Sequence, residues 1–155
     1  MAKTSKNNDQ IKLALSLIIP AHNEKNNLQK LAIYLKDHLN ELPSKTEVII
    51  VDDGSSDGTD SYIMPSLSPI KIIRLRNTER LGKSDSILAG YSVARGEHIA
   101  ILDADLVDCI PELLTQYANA GTGYAITYTP FSWRQLFKTR LHHGPKIFPR
   151  HVFEY

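Results

Sequence analysis

Short unbroken apolar runs alternate along this chain with longer stretches in which apolar residues recur every three or four positions. Leu13 to Ile19 is the first run, and Pro20, which has no N–H for a sheet ladder, predicts its exit into a loop over Ala21 to Lys25. Leu28, Leu31, Ala32, Leu35 and Leu39 then recur at helical spacing, with Asn26 or Asn27 as the cap and Pro43 past the end. His38 lies beside that stripe and reads as a packed or half-exposed side chain rather than a ligand. The run Val48 to Val51 is apolar and β-branched throughout, the pattern of a strand buried on both faces, and it breaks into Asp52, Asp53 and Gly54.

A short helix is predicted over Gly58 to Met64, stopped by Pro65, and a third strand over Ile70 to Leu75. After a polar return from Arg76 to Ser84, a helix presents Ile87, Leu88, Tyr91 and Ala94 on one face. Gly96 stands where a left-handed C-terminal residue is wanted. Glu97 to Leu102 reads as a fourth strand, ending in Asp103-Ala104-Asp105. Pro111 suits the first turn of a helix that continues to Ala118. Tyr124 to Thr129 reads as a strand, Ser132 to Leu141 as a basic helix with Trp133, Leu136, Phe137 and Leu141 as its apolar set, and Lys146 to Phe148 as a last apolar piece. This alternation predicts an α/β fold: a Rossmann-like, mostly parallel sheet flanked by helices on both faces, with right-handed crossovers.

The length of 155 residues amounts to one domain, with residues 1–12 as a disordered polar tail and 13–118 as the core. The formal charge of +1 comes from mixed signs along the chain, so there is no polybasic footprint and nucleic acid is not an expected partner. A single cysteine, Cys109, excludes an internal disulfide and a zinc site of its own, and suits a reducing, cytoplasmic compartment. No stretch reaches the roughly 18 apolar residues of a spanning helix. Membrane contact is therefore expected to be peripheral, at the cytoplasmic face.

In open α/β sheets ligands bind at the carboxyl ends of the strands. Three loops reach that edge here: Pro20 to Glu24, Asp52 to Gly54, and Asp103 to Asp105. Asp52 and Asp53 are suited to accept from a nucleobase imino group or from ribose hydroxyls, or to hold a divalent cation; the structural alternative is an Asx turn and a helix cap, the role expected of Asp57. Asp103 and Asp105 are separated by a small residue that lets a ligand approach, and both can face one cavity. Their oxygens suit a hard cation, Mg²⁺ or Mn²⁺, shared with water and substrate phosphates.

The segments Leu17 to Glu24, Val51 to Thr59, Gly82-Lys83, and Gly96-Glu97 leading to Asp103-Ala104-Asp105 together resemble the family 2 glycosyltransferases of GT-A fold, in the family's order and over residues 13 to 118. The Asp-Ala-Asp-Leu and Pro-Ala-x-Asn-Glu forms are most similar to polyprenyl-phosphate (dolichol-phosphate) sugar transferases. The resemblance implies that Pro20, Ala21, Asn23 and Glu24 line a nucleoside pocket, that Asp52 holds the base, and that Asp53 and Gly54 lie near the ribose. It places Lys83 near the nucleotide, Ala104 by the sugar-phosphate, and Asp103 and Asp105 on a metal ion at the diphosphate, as the catalytic pair. The implied activity is metal-assisted transfer of a sugar from a nucleotide-diphosphate sugar to an acceptor, a polyprenyl phosphate. Residues 119–155 would be an incomplete acceptor-side segment of the same domain.

Two departures are visible. Where the family often has Gly-Lys-Gly, this chain reads Gly82-Lys83-Ser84-Asp85, and no Gln-x-x-Arg-Trp motif follows Asp105. An ionised lipid phosphate attacks without a general base, whereas a sugar hydroxyl needs one, for which Asp108 is the nearest unassigned acid, its alternative being a loop residue that caps the Pro111 helix. Arg134, Lys138, Arg140, Lys146 and Arg150, interleaved with Trp133, Phe137 and Phe148, suit a membrane surface and a prenyl phosphate, or equally a solvated helix face. The rival functional reading is a truncated or degenerate domain that binds nucleotide or a partner without catalysis. A phospho-acceptor receiver domain fits poorly, because its acidic strand comes first.

Overall fold

A computed structural model of the chain describes residues 13–43, 45–62, 66–120 and 146–150. The expected polar tail, the strand over 124–129 and the basic helix over 132–141 with Arg134 and Lys138 lie outside the described residues.

The elements in chain order are β1 (Leu13–Ala21), α1 (Lys25–Asp37), a 3₁₀ turn (Leu39–Glu41), β2 (Thr46–Asp53), β3 (Lys71–Asn77), α2 (Lys83–Val93), β4 (Gly96–Ile101), a 3₁₀ turn (Val107–Cys109), α3 (Ile110–Ala120) and β5 (Lys146–Pro149). They build a 5-stranded sheet of order β3-β2-β1-β4-β5. All neighbours are parallel except β5, which runs antiparallel to β4.

Side-chain alternation along the inner strands assigns every position to one face or the other. On β1, Leu15, Leu17, Ile19 and Ala21 join Leu28, Leu31, Ala32 and Leu35 of α1 and Ile110 and Leu113 of α3 in one core. Ile18 points the other way, with Ile49, Val51 and Ile99, toward α2. β2 is buried at every position, the consequence of helices on both faces. Each fully buried Leu or Ile contributes about 1.5–3 kcal/mol relative to exposure, so this double cover supplies most of the fold's stabilisation.

Gly90 brings α2 down onto the sheet: a Cβ there would stand 2.6 Å from Ile18 Cγ2. At the amino edge, Glu47 is fully buried and its Oε1 accepts from Ser16 Oγ (2.6 Å) and from the Arg95 N–H (2.7 Å). Ser16 Oγ in turn accepts from Gly96 N–H (2.7 Å), which ties the start of β4 to β1 and β2.

Four local expectations are corrected. β1 runs through Pro20 instead of ending there, because β1 pairs with β4 only as far as Ile18↔Ile101. The Ile18 carbonyl accepts from Leu102 N–H at 3.0 Å, so Pro20, two residues on, faces a side where β4 has already departed and no ladder donor is lost. Asn26 and Asn27 lie inside α1, whose N-cap residue is Glu24. Gly58 to Tyr62 forms a single turn, closed by Tyr62 N–H on Gly58 O (3.1 Å), and no helix; residues 63–65 lie outside the described set.

Gly96 is the first residue of β4 and not a left-handed helix end; α2 stops at an extended Ala94. Glycine is needed there for space, since a Cβ would lie 2.5 Å from Ser16 N. His38 is half-buried, as expected, with its ring stacked on Tyr34 (4.0 Å between centroids) and its Nδ1 donating to Tyr34 O.

Candidate functional site

The same alternation separates the two acids at the end of β2. Asp52 continues the face of Val48 and Ile50, toward α1, and Asp53 that of Ile49 and Val51, toward α2. Each is only 4% exposed, so each is a buried carboxylate at the carboxyl edge of the sheet.

The Asp53 carboxylate is taken up by the loop before α2. Its Oδ1 accepts from Asn77 Nδ2 (2.8 Å) and Leu81 N–H (2.9 Å), and its Oδ2 from Gly82 N–H (2.8 Å). Burial alone would raise its pKa, but the donors from Asn77, Leu81, Gly82 and Ser86 outweigh burial and hold it below the ordinary carboxylate value. Gly54 completes this junction. Its φ is +64°, and a Cβ on it would lie 2.7 Å from Arg80 N and Glu79 C, so the loop backbone passes directly over it.

Asp52 is only half satisfied. Its Oδ1 accepts from Ser55 N–H (3.1 Å), the turn-forming role allowed for it, while Oδ2 is buried without a hydrogen-bond partner. The nearest cation is Arg76, with Nε 3.6 Å from that oxygen and Nη1 on Asp60. A buried carboxylate oxygen without a donor carries a desolvation cost that a ligand N–H can relieve.

The loop after β1 is stitched to the loop after β2. Asn23, at φ 58°, donates its N–H to Ser55 Oγ (2.9 Å) and accepts from Ser56 N–H on Oδ1 (2.9 Å). Glu24 N–H donates to Thr59 Oγ1 (2.9 Å), and Glu24 Oε2 accepts from Asn27 Nδ2 (2.6 Å). Asp57 accepts from Lys25 N–H (3.2 Å) and Thr59 N–H (2.9 Å), so it serves the start of α1 and its own turn, not a following helix. His22 Nδ1 lies 2.7 Å from the Asp53 carbonyl oxygen. These contacts make Asn23 and Glu24 builders of the edge, beside a half-buried Pro20 and a buried Ala21.

At the end of β4 the chain turns at once: Leu106 N–H donates to Asp103 O (3.0 Å). Asp103 continues the α2-facing set of Ile99 and Ile101, and its Oδ1 lies 2.5 Å from Lys83 Nζ. Ala104 is buried in the α1-side core. Asp105, exposed, borders a groove of about 350 Å³ lined also by Asn27, Lys30, Tyr34, His38 and Asp108. Asp103 does not border that groove. The i, i+2 rule that would put both carboxylates on one face holds in a strand and lapses in the turn that follows Ile101.

The oxygen-only donors Asp103 and Asp105 are of the type a hard cation takes, and no group of three or more potential metal-ligating side chains is assembled among the described residues. Among the described residues the protein side would thus supply these two carboxylates, of a type that suits an ion held jointly with a diphosphate.

Sequence reasoning missed Arg76, Asn77 and the Leu81–Gly82 amides. The register that brings Arg76 opposite Asp52 and Asn77 opposite Asp53 depends on how β2 and β3 pair, and no local pattern reports it. Among the described residues no helix is long and apolar enough to cross a membrane.

Comparison with known proteins agrees with this architecture. Residues 16–152 match Glycosyl transferase family 2. The chain is 34% identical over 119 residues to a dolichol-phosphate mannosyltransferase of Pyrococcus furiosus, covering 74% of this chain and 32% of that protein. It is 32% identical over 125 residues to an undecaprenyl-phosphate 4-deoxy-4-formamido-L-arabinose transferase of Aeromonas hydrophila, covering 79% and 38%. The crystal structure of S. aureus TarS 1-349 in complex with UDP-GlcNAc shares the fold, with a TM-score of 0.64 at 15% identity over 92% of this chain and 47% of that one. The chain spans between 32% and 39% of the length of the curated relatives it matches. With a family match over most of its length, four sequence motifs in order and the α/β sheet expected of them, the chain belongs to glycosyltransferase family 2.

Proposed function

We propose that this chain binds a nucleotide-diphosphate sugar at the carboxyl edge of its sheet and transfers the sugar to a polyprenyl phosphate, assisted by Mg²⁺ or Mn²⁺. The observation that carries the nucleotide part is the buried Oδ2 of Asp52 at that edge, which has Arg76 3.6 Å away as an ion-pair partner but accepts no hydrogen bond. An imino N–H of uracil or guanine is a donor that would satisfy it, and such a bond to a charged acceptor contributes about 1.5–3 kcal/mol. Pro20, Ala21, Asn23 and Glu24 shape the wall beside it. Gly54 leaves room for the loop that carries Lys83.

On the α2 side, Lys83 and Asp103 stand at the start of the helix, where phosphates are favoured by the helix N-terminus and by the ammonium. Asp103 and Asp105 would hold the cation, which when bound neutralises charge developing on the nucleoside diphosphate leaving group. Loss of one such stabiliser typically lowers the rate on the order of 10²–10³-fold.

The lipid-phosphate acceptor is supported by the two relatives above, whose names specify dolichol phosphate and undecaprenyl phosphate. It is also supported by chemistry, since a phosphate acceptor is already ionised and needs no general base. Peripheral contact with a membrane follows from such an acceptor.

The test is transfer of radiolabelled sugar from UDP- and GDP-sugars, with Mn²⁺ or Mg²⁺, into a polyprenyl phosphate in detergent and, in parallel, into soluble saccharides. Label in the lipid phase is expected. Label in saccharides alone refutes the lipid-phosphate acceptor, and nucleotide binding without transfer to either supports a binding role for this chain.

A further inference from the structure

Asp53 carries an invitation to be read as a ribose ligand, yet its surroundings describe another task. Oδ1 is saturated by Asn77 Nδ2 and Leu81 N–H, and Oδ2 already accepts Gly82 N–H. Only one acceptor direction remains on a side chain that is 4% exposed. The two backbone donors are the residues immediately before Lys83, and Gly82, at φ +103°, is the N-cap residue of α2. The backbone of Glu79 and Arg80 is held over Gly54, the next residue after Asp53.

We propose that Asp53 is a positioning residue that acts through Lys83: its carboxylate fixes the 81–82 backbone and thereby sets where the Lys83 ammonium stands relative to the diphosphate. This rests on the nucleotide-binding reading above. A rigid anchor of this kind matters because a long lysine side chain delivers its charge only to a place its backbone allows, and misplacement by an ångström costs much of the interaction.

The proposal predicts a sign that direct electrostatics does not. Removing a negative charge beside phosphates would by Coulomb attraction alone tighten nucleotide binding, whereas loss of the anchor weakens it.

The experiment is calorimetric titration of UDP and GDP, with uridine and guanosine as phosphate-free controls, into wild type, Asp53→Asn, Lys83→Met and the double variant. Asp53→Asn is expected to weaken the better-bound diphosphate about tenfold and to leave nucleoside affinity unchanged. The double variant is expected to bind no more weakly than Lys83→Met, because residues acting as one unit are not additive. Multiplied losses in the double variant, or an equal loss for the nucleoside, would show that Asp53 acts on the ligand directly and overturn the proposal. If Asp53→Asn does not fold, Asn77→Ala removes one of the donors that orient the carboxylate, and the same phosphate-specific loss, smaller in size, is expected; nucleoside and diphosphate affected alike overturns it. A wild type that binds neither UDP nor GDP overturns the nucleotide reading and this inference together, while binding with additive losses overturns this inference alone.

Discussion

Lys83 Nζ lies 2.5 Å from Asp103 Oδ1, so the proposed phosphate-binding cation and one of the proposed metal-binding carboxylates neutralise each other. An incoming cation must displace the ammonium from Asp103, and an incoming diphosphate offers the ammonium a second partner. Metal and nucleotide should therefore bind cooperatively. The pair is more than half exposed on the lysine side, which limits its strength to about 0.2–1 kcal/mol. Lys83→Met should tighten Mn²⁺ binding in the absence of nucleotide by up to about fivefold while weakening UDP or GDP binding. Calorimetry or Mn²⁺ EPR with and without nucleotide reads both effects, and unchanged Mn²⁺ affinity in Lys83→Met refutes the competition.

Asp103→Ala and Asp105→Ala should each abolish metal-dependent nucleotide binding while leaving the fold intact, since both side chains stand at the edge and outside the core. Circular dichroism checks the fold and calorimetry the binding. Nucleotide affinity that still rises with Mn²⁺ in both variants would remove these residues from the metal site.

Asp52→Asn keeps the acceptor that Ser55 N–H uses and replaces the oxygen that accepts no hydrogen bond with an N–H₂ group. The thermal midpoint should change little, because relief of a buried carboxylate oxygen that lacks a hydrogen bond is offset by loss of the ion pair with the half-exposed Arg76. Nucleoside affinity should fall by about 1.5–3 kcal/mol, since a donor would then face the imino N–H. Normal nucleoside binding by Asp52→Asn would leave the residue as a turn former only.

Gly54→Ala should destabilise the protein. A left-handed φ of +64° costs an L-residue about 1–2 kcal/mol, and the new methyl would stand 2.7 Å from the Arg80 nitrogen. Denaturant unfolding should show a loss of at least about 2 kcal/mol, together with weakened nucleotide binding as the 79–83 loop is pushed away. An unchanged midpoint would mean that this loop does not rest on Gly54.

The acid limb of stability should carry the signature of Asp53. Its folded pKa lies below the ordinary value of 3.8, so the stabilisation it supplies is present above that value and is lost as pH falls through the folded pKa. Asp53→Asn should flatten the decline in stability below about pH 4 and leave the slope at neutral pH unchanged. An acid limb of the same slope in variant and wild type would mean that the carboxylate is no better solvated in the fold than out of it.

Much of this protein is legible in its sequence. Apolar runs that are buried throughout, as Val48 to Val51 are, require cover on both faces, and with α1, α2 and α3 between strands the mostly parallel sheet follows. The same runs, by ending in acids, marked the carboxyl edge of the sheet as the candidate site. Even the split of Asp52 from Asp53 is written in the two-residue period of a strand.

Tertiary structure decided the rest. Pro20 stays in β1 because β4 leaves before reaching it, a fact about a strand distant in sequence and not about proline. Gly96 is required by the approach of Ser16 and not by a helix end, and Asp57 serves α1 rather than a helix after it. Arg76 and Asn77 reached this edge through the β2–β3 register, and the 77–82 loop folds back onto Asp53, whose carboxylate accepts from Asn77, Leu81 and Gly82. Local sequence determines which way a side chain points along its own strand. What it meets there is set by segments that arrive from elsewhere in the chain, and only their packing selects them.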